Sequence, residues 1–274
     1  MPHNHQKKIA AINDFCGFGK CSLAVSLPII SAMKIQCCPL PTSIFSNHTG
    51  YDSFYCTDFT SHMDNYVNEW ARLGLKFNGI LTGYLGSFDQ IEIVKHFLDR
   101  FKNPDTVSVI DPVMGDRGEL YTAYSEELAK GMRSLVKYAD ILTPNLTEAC
   151  ILTDTPYNPN PTDSELLCLC EKLSKMGPER IVISGIERDN DLVNYVYVRG
   201  EAPIKVISHK VGPCRAGTGD VFSSVIAADA VNGVDFAASV RHAADFIAKV
   251  LRRTLELNIP KADGICFEEF LGEL

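Results

Sequence analysis

Gly217-Thr218-Gly219-Asp220 places two glycines and a small hydroxyl residue just before Val221, Phe222, Val225 and Ile226, whose spacing starts a buried helix. With no bulky side chain in the way, backbone N–H groups at such a helix start can approach an anion. A carboxylate beside a phosphate cradle repels the phosphate unless it has another task. Accepting the proton of a substrate hydroxyl, while the N–H groups hold the transferring phosphoryl, is such a task. The pattern therefore implies phosphoryl transfer to a small molecule. The same four residues also fit a tight turn followed by a helix whose first-turn aspartate complements the helix dipole.

What distinguishes these readings is what the chain brings near the cradle. Lys7 to Ile12 reads as a buried strand ended by Asn13-Asp14 and the loop FCGFGK; a helix follows over roughly residues 22 to 33, with Ser22 as its cap and a kink expected at Pro28. IQCCPLP is a second strand running into Thr42, and SIFSNHTGYDSFY, polar and aromatic without helical period, reads as a flap over a site. Helices over 62 to 73, 87 to 102 and 125 to 137 separate the apolar runs NGILTG, VSVID and ADILT. The segment PVMGDRGELY reads as a loop too polar and glycine-rich to pack, and PNLTEACIL as a short helix. After the proline-rich linker from Pro156 to Thr162, Leu166, Leu169, Cys170 and Leu173 fall at i, i+3, i+4 and i+7 of an amphipathic helix. RIVISG is a sixth strand, DLVNYVYV and PIKVISHKVG pair as an edge hairpin, and helices near 220 to 231 and 236 to 252 close the chain.

Strands alternating with helices predict a three-layer α/β/α fold, a mostly parallel central sheet with helices on both faces, in one domain over residues 1–274. The polar clusters Asn13-Asp14, Thr42 to Thr49, Gly83-Tyr84, Asp111 to Asp116, Thr143 to Glu148, Ser184 and the cradle all sit just after apolar strands. In open parallel sheets the ligand crevice lies outside the carboxyl ends of the strands, so the clusters are expected to converge on one site.

Composition narrows the partners. At 274 residues and 46% hydrophobic the chain has ample core, and 26 basic against 34 acidic residues, net −8, argue against binding nucleic acid by bulk charge. Ten cysteines without a CxxC pair or an apolar leader read as reduced thiols in a cytoplasmic protein. No apolar run approaches membrane-spanning length.

SNHTGY at 46–51, TGYLGS at 82–87, DPVMGD at 111–116, TPNLTEA at 143–149 and GTGD at 217–220 come in an order and spacing that resemble pyridoxal kinases of the ribokinase-like superfamily, over nearly the whole chain. GTGD and NxxE mark the superfamily; SNHTGY with TGYLGS points to the vitamin B6 kinases. The resemblance implies ATP-dependent phosphorylation of the 5′-hydroxymethyl group of pyridoxal, pyridoxine or pyridoxamine. It also implies Mg2+ with ATP, a monovalent cation such as K+, and a homodimer. Carried over by position, Asp220 resembles the catalytic base and Gly217, Thr218 and Gly219 the anion hole. Asn145 and Glu148 match the NxxE pattern that supports the metal and its waters, and equally form a capping box. Asp111 and Asp116 resemble carboxylates near the phosphates and metal, Tyr121 falls at the lid over ATP, and Ser184 at the wall that receives adenosine. Thr49 and Tyr84 match positions that touch the pyridine ring.

The family usually has a serine just after the first strand, where this chain has Asp14, preceded by Asn13. A carboxylate there can pair with a protonated ring nitrogen or an exocyclic amine, shifting preference among vitamers or toward an aminopyrimidine. Cys214, beside the cradle, reads as an inert small hydrophobe more readily than as a nucleophile toward an aldehyde. A hydroxymethylpyrimidine kinase, acting alone or as a second activity, shares the fold and chemistry, but NDFCGFGKCS lacks the GxDxSGGAG-like first loop of those enzymes. A catalytically silent vitamin-binding protein would have no need of Asp220 together with both glycines, Asn145 and Glu148.

Overall fold

The computed structural model describes residues 3–121 and 124–274. Its elements in chain order are β1 (Lys8–Cys16), α1 (Leu23–Ala32), β2 (Gln36–Phe45), β3 (Cys56–Asp58), α2 (Thr60–Arg72), β4 (Gly79–Thr82), α3 (Phe88–Phe101), β5 (Val107–Ile110), β6 (Gly115–Asp116), β7 (Glu119–Leu120), α4 (Glu126–Met132), β8 (Ile141–Leu142), α5 (Leu146–Leu152), α6 (Asp163–Ser174), β9 (Arg180–Arg188), β10 (Asp191–Val198), β11 (Ile204–His209), α7 (Thr218–Asn232) and α8 (Phe236–Glu256).

Nine strands form one sheet in the order β11-β10-β9-β8-β5-β4-β1-β2-β3. The six central strands are parallel, and the antiparallel pairings lie at the two edges, β2 with β3 and β9-β10-β11. Successive side chains of a strand point to opposite faces, and the core divides accordingly. Ile80, Ile110, Leu142 and Ile183 pack with α2 to α6, while Leu81, Val109, Ile141 and Val182 pack with α1, α7 and α8. The expected three-layer architecture is present. From β1 the chain goes first to β2 on one side and later to β4 and β5 on the other, so the strand order reverses at β1, where a crevice opens in such sheets. Among the described residues no helix is long and apolar enough to cross a membrane.

Several boundaries differ from the expectations. Asn13-Asp14 does not end the first strand; β1 shifts register between Asn13 and Phe15 and continues to Cys16, so Asn13 and Asp14 sit in an irregular stretch of strand. β2 runs past Thr42 to Phe45, and part of the flap returns as β3. Ser22 precedes α1 with φ 58° and makes no side-chain cap; its carbonyl accepts from Val25 and Ser26 instead. The helix continues through Pro28 to Ala32. The segment expected not to pack contains the two-residue strands β6 and β7, with Met114 and Gly115 buried. α4 ends at Met132 and continues as a 3-10 turn over Arg133–Tyr138, and Gly131 lets α4 approach α3, since a Cβ there would lie 2.7 Å from the Phe88 ring.

Candidate active site

The carboxyl ends of β1, β4, β5, β8 and β9 open into a cleft of about 1530 Å³ whose lining includes all of the sequence-derived site residues. A second hollow, of about 360 Å³, lies at the amino-terminal ends of β5, β8 and β9. Two of its charged groups serve each other, since Lys102 Nζ donates to Ser108 Oγ at 2.8 Å, Tyr138 O at 2.7 Å and Asp140 Oδ1 at 3.0 Å.

The cradle forms the cleft's floor. Gly217 occupies the N-cap of α7 with φ 87°, and a Cβ there would lie 2.2 Å from the Lys20 carbonyl oxygen, so only glycine fits. The first intrahelical bond runs from Val221 N to Gly217 O, leaving the N–H groups of Thr218, Gly219 and Asp220 without helical acceptors. A Cβ built on Gly219 would meet no protein atom within 4 Å, so that glycine borders open cleft. Thr218 Oγ1 donates to Arg215 O at 3.1 Å; the Arg215 guanidinium in turn donates to Pro260 O at 2.8 Å and Ile259 O at 2.9 Å, pinning the loop to the C-terminal segment. Arg215 was not singled out in the sequence because its acceptors are backbone carbonyls some 44 residues away.

Asn13 is the pivot between the cradle and the neighbouring strands. Its Oδ1 accepts from Asp14 N at 2.9 Å and Tyr84 N at 2.8 Å, and its Nδ2 donates to Asp220 Oδ1 at 3.2 Å. A Cβ on Gly83 would lie 2.4 Å from Asn13 Nδ2, which explains the glycine opposite. Burial pushes the Asp220 carboxyl up to about 6, against the Ser22 backbone N–H, with the Asp14 charge adding to the rise and the Asn13 amide opposing it. Asp14 is likewise raised by burial, opposed by the Ser22 hydroxyl and the Cys16 thiol.

Asp111 follows β5, its backbone N–H donating to Thr82 O at 3.1 Å; burial and then the Asp220 charge raise its carboxyl well above the usual range. Asn145 and Glu148 do form a capping box: Asn145 Oδ1 accepts from Glu148 N at 3.0 Å and Glu148 Oε2 from Asn145 N at 2.8 Å. The box also grips the hairpin, with Glu148 Oε1 accepting from Met114 N at 3.1 Å and Asn145 Nδ2 donating to Gly115 O at 2.8 Å. Burial and Asp111 raise Glu148. Asn145→Ala removes one cap bond and one hairpin bond; the expected loss is about 1 to 2 kcal/mol, read as a lower midpoint in urea unfolding, and an unchanged midpoint would contradict the clamp.

Asp116 lies at the exposed turn of the hairpin, where its Oδ1 accepts from Arg117 N at 2.8 Å, and Tyr121 follows it, 45% exposed at the rim. Ser184 closes the far side, donating its N–H to Pro144 O at 2.9 Å. On the opposite wall Tyr84 stands edge-on to Phe45 and Tyr124, with ring centroids 6.4 and 5.8 Å away, and burial pushes its phenol up to about 12. Thr49 is exposed in the flap, which is fastened to the C-terminal segment by His48 Nε2 with Ala262 O at 2.7 Å and by Tyr51 Oη donating to Asp263 Oδ1 at 2.8 Å. Cys214 lines the cleft as an exposed residue whose thiol burial raises, which keeps it protonated.

Part of the lining escaped the sequence reading. Phe222, Ala244, Ile247, Ala248 and Leu251 form an apolar patch near the cradle. The last four fall at i, i+3, i+4 and i+7, a period indistinguishable from that of a core-facing helix. Phe45 and Phe54 came in from the flap, Cys16 from the end of β1 and Cys21 from the turn after it.

Residues 29–264 match the family model described as phosphomethylpyrimidine kinase. A pyridoxal kinase from Arabidopsis thaliana is 31% identical over 231 residues, covering 80% of this chain and 72% of that protein. One from Bos taurus is 34% identical over 67% of this chain and 64% of its own length. Among solved structures, a Bacteroides thetaiotaomicron protein provisionally described as a phosphomethylpyrimidine kinase is 40% identical, with a TM-score of 0.97 over 100% of this chain and 95% of that one. A second crystal form of it, with pyridoxal, has a TM-score of 0.94 over 98% and 95%. The alignment spans both faces of the sheet and the cradle, and the chain belongs to the family of pyridoxal and phosphomethylpyrimidine kinases.

Proposed function

We propose that this chain is a vitamin B6 kinase, moving the γ-phosphoryl group of ATP to the 5′-hydroxymethyl group of pyridoxal, pyridoxine or pyridoxamine. The observation that carries the proposal is Asp220 at the mouth of the glycine cradle, in a cleft where Asn13 links it to Asp14 and Tyr84. The names of the relatives and the pyridoxal in the second crystal form of the Bacteroides protein support the substrate class. Residues 1–274 act as one kinase domain on this reading, and the single nine-stranded sheet supports it.

Asp220 accepts the alcohol proton late, as the oxygen bonds to phosphorus, while Gly217, Thr218 and Gly219 hold the phosphoryl oxygens through backbone N–H groups. Asn13 and the Ser22 backbone N–H orient the Asp220 carboxylate in the cleft. Thr49, Tyr84 and Asp14 receive the pyridine ring, with Asp14 facing a protonated nitrogen or an amine. Tyr121, Asp116 and Ser184 border the nucleotide, with the apolar patch from α8 as its bed.

The donor set fits magnesium. Asp111 and Glu148 supply hard carboxylate oxygens whose mutual repulsion a cation relieves, and both Glu148 oxygens already accept backbone N–H groups, so the ion would be held through waters and phosphates. When bound it neutralises charge on the phosphates.

The raised Asp220 carboxyl sets a pH dependence. Its ionised form is the base, so kcat/KM is expected to rise through about pH 6 and level off above it. The stability effect has the opposite sign: a carboxyl raised from 3.8 to about 6 on folding contributes fully below the unfolded value, and that contribution is lost as pH rises through about 6. A rate profile flat between pH 5 and 8, or one falling across that range, would remove Asp220 from the base role. Selectivity is tested by turnover on pyridoxal, pyridoxine, pyridoxamine and hydroxymethylpyrimidine side by side. The vitamers are expected to lead, and turnover of the pyrimidine alone would assign the chain to the thiamine-precursor branch.

A further inference from the structure

The carboxyl of Asp14 and the thiols of Cys16 and Cys21 offer three ligand atoms that all lie within 4.8 Å of one another, Asp14 and Cys16 buried and Cys21 half-buried. Phosphoryl transfer makes use of Asp14 alone. The fold explains why the other two join it. After β1 the chain turns through Gly17-Phe18-Gly19-Lys20, and Phe15 pairs antiparallel with Ser22. Cys16 and Cys21 are therefore the next opposed pair, inside the turn. Asp14 and Cys16, two residues apart on a strand, share a face, and the Cys16 thiol donates to Asp14 Oδ2 at 3.2 Å. Gly19, at φ 101°, permits the tight turn that closes the group.

We infer that Asp14, Cys16 and Cys21 form a binding site for a soft divalent cation of the zinc class at the vitamin end of the cleft. Tetrahedral bonds of about 2.3 Å to sulfur and about 2.1 Å to oxygen separate ligand atoms by about 3.6 to 3.8 Å, so side-chain rotation alone brings this group to coordination geometry. Two sulfurs and one oxygen select zinc or cadmium over magnesium, which favours oxygen ligands and retains its waters. Binding releases both thiol protons to solvent and leaves two thiolates and a carboxylate on the ion. All three residues line the cleft, so the fourth position faces it and takes water or a polar substituent of a bound ligand. With its carboxylate on the cation, Asp14 no longer meets the pyridine ring. On the kinase reading, which this consequence rests on, the cation competes with the vitamer and leaves the ATP end of the cleft untouched.

The test titrates the reduced full chain with Co2+ alone, and separately with Cd2+ alone, following the thiolate-to-metal charge-transfer absorption. One equivalent is expected to saturate the band. Cys16→Ser and Cys21→Ser are each expected to diminish it and the double variant to abolish it, whereas Cys214→Ser, at the other end of the cleft, keeps it. The half-buried Cys21→Ser carries the test if Cys16→Ser does not fold. Absence of a band at one equivalent, or a band that survives the Cys21→Ser change undiminished, overturns the site. The absorption is read without ATP or turnover, so its failure leaves the kinase reading intact, and loss of the kinase reading leaves the band to be explained by the cation site.

Discussion

Asp220→Asn is expected to lower kcat by about 10²- to 10⁴-fold, the range for removing a positioned general base, while the protein keeps its fold and its affinity for nucleotide. The amide preserves the shape of the side chain and can still meet the Asn13 amide group. What it loses is the ability to accept a proton. The replacement also removes a carboxylate that burial holds up at about 6, so thermal stability at neutral pH should stay level or rise. That combination, slower and no less stable, separates a catalytic carboxylate from a dipole-complementing residue at a helix start. A plain first-turn aspartate would cost a fraction of a kcal/mol in stability, on the order of 0.3 to 1, and leave turnover alone. A variant with wild-type kcat and a lowered melting temperature would therefore return Asp220 to the structural role.

The second large effect divides the two glycines of the cradle. Gly217→Ala puts a Cβ at 2.2 Å from the Lys20 carbonyl oxygen and a non-glycine residue at φ 87°, so the start of α7 must shift. The expected result is a loss of about 1 to 3 kcal/mol from backbone strain, added to the clash, and turnover down by about 10²-fold or more as the N–H groups move off the phosphoryl oxygens. Gly219→Ala has neither problem, because its Cβ would meet no protein atom within 4 Å. In the first turn of a helix that change favours folding by up to about 1 kcal/mol. Its Cβ nonetheless enters the space assigned to the phosphoryl group. Gly219→Ala is thus expected to melt at or above the wild-type temperature and to lose turnover. Equal stability losses in the two variants would show that the cradle is only a turn, and full activity in Gly219→Ala would place the phosphate elsewhere.

The layered fold was legible because it rests on local periodicities. Ile80-Leu81, Val109-Ile110 and Ile141-Leu142 are apolar runs buried on both faces, and the Asn145–Glu148 capping box, read from residues three apart, is formed at the start of α5. The cradle was legible for a related reason: a helix start, two glycines and a carboxylate lie within four consecutive residues. What was not legible depends on partners distant in the chain. Asn13 reads as a strand-ending residue until it is seen to join Tyr84, 71 positions away, to Asp220, 207 positions away. β6 and β7 are two residues each, too short for any period, and hold together through Glu148. The α8 stripe facing the cleft carries the same pattern as one facing a core, since an apolar ligand bed and a packed interior demand the same spacing. Cys16 and Cys21 become neighbours only when the Phe15–Ser22 bridge closes the turn. Asp14, by contrast, was singled out from the sequence as a departure from the family's serine, and the structure places it beside those thiols, 6% exposed.

The most direct test of the central claim is transfer of labelled phosphate from γ-labelled ATP to pyridoxal by the purified chain with magnesium, with the product resolved and its site of phosphorylation read by phosphorus–proton coupling. The account predicts label on the 5′ oxygen of pyridoxal at a rate that collapses in Asp220→Asn. Release of the label as free phosphate, or transfer that proceeds undiminished in the variant, would contradict it.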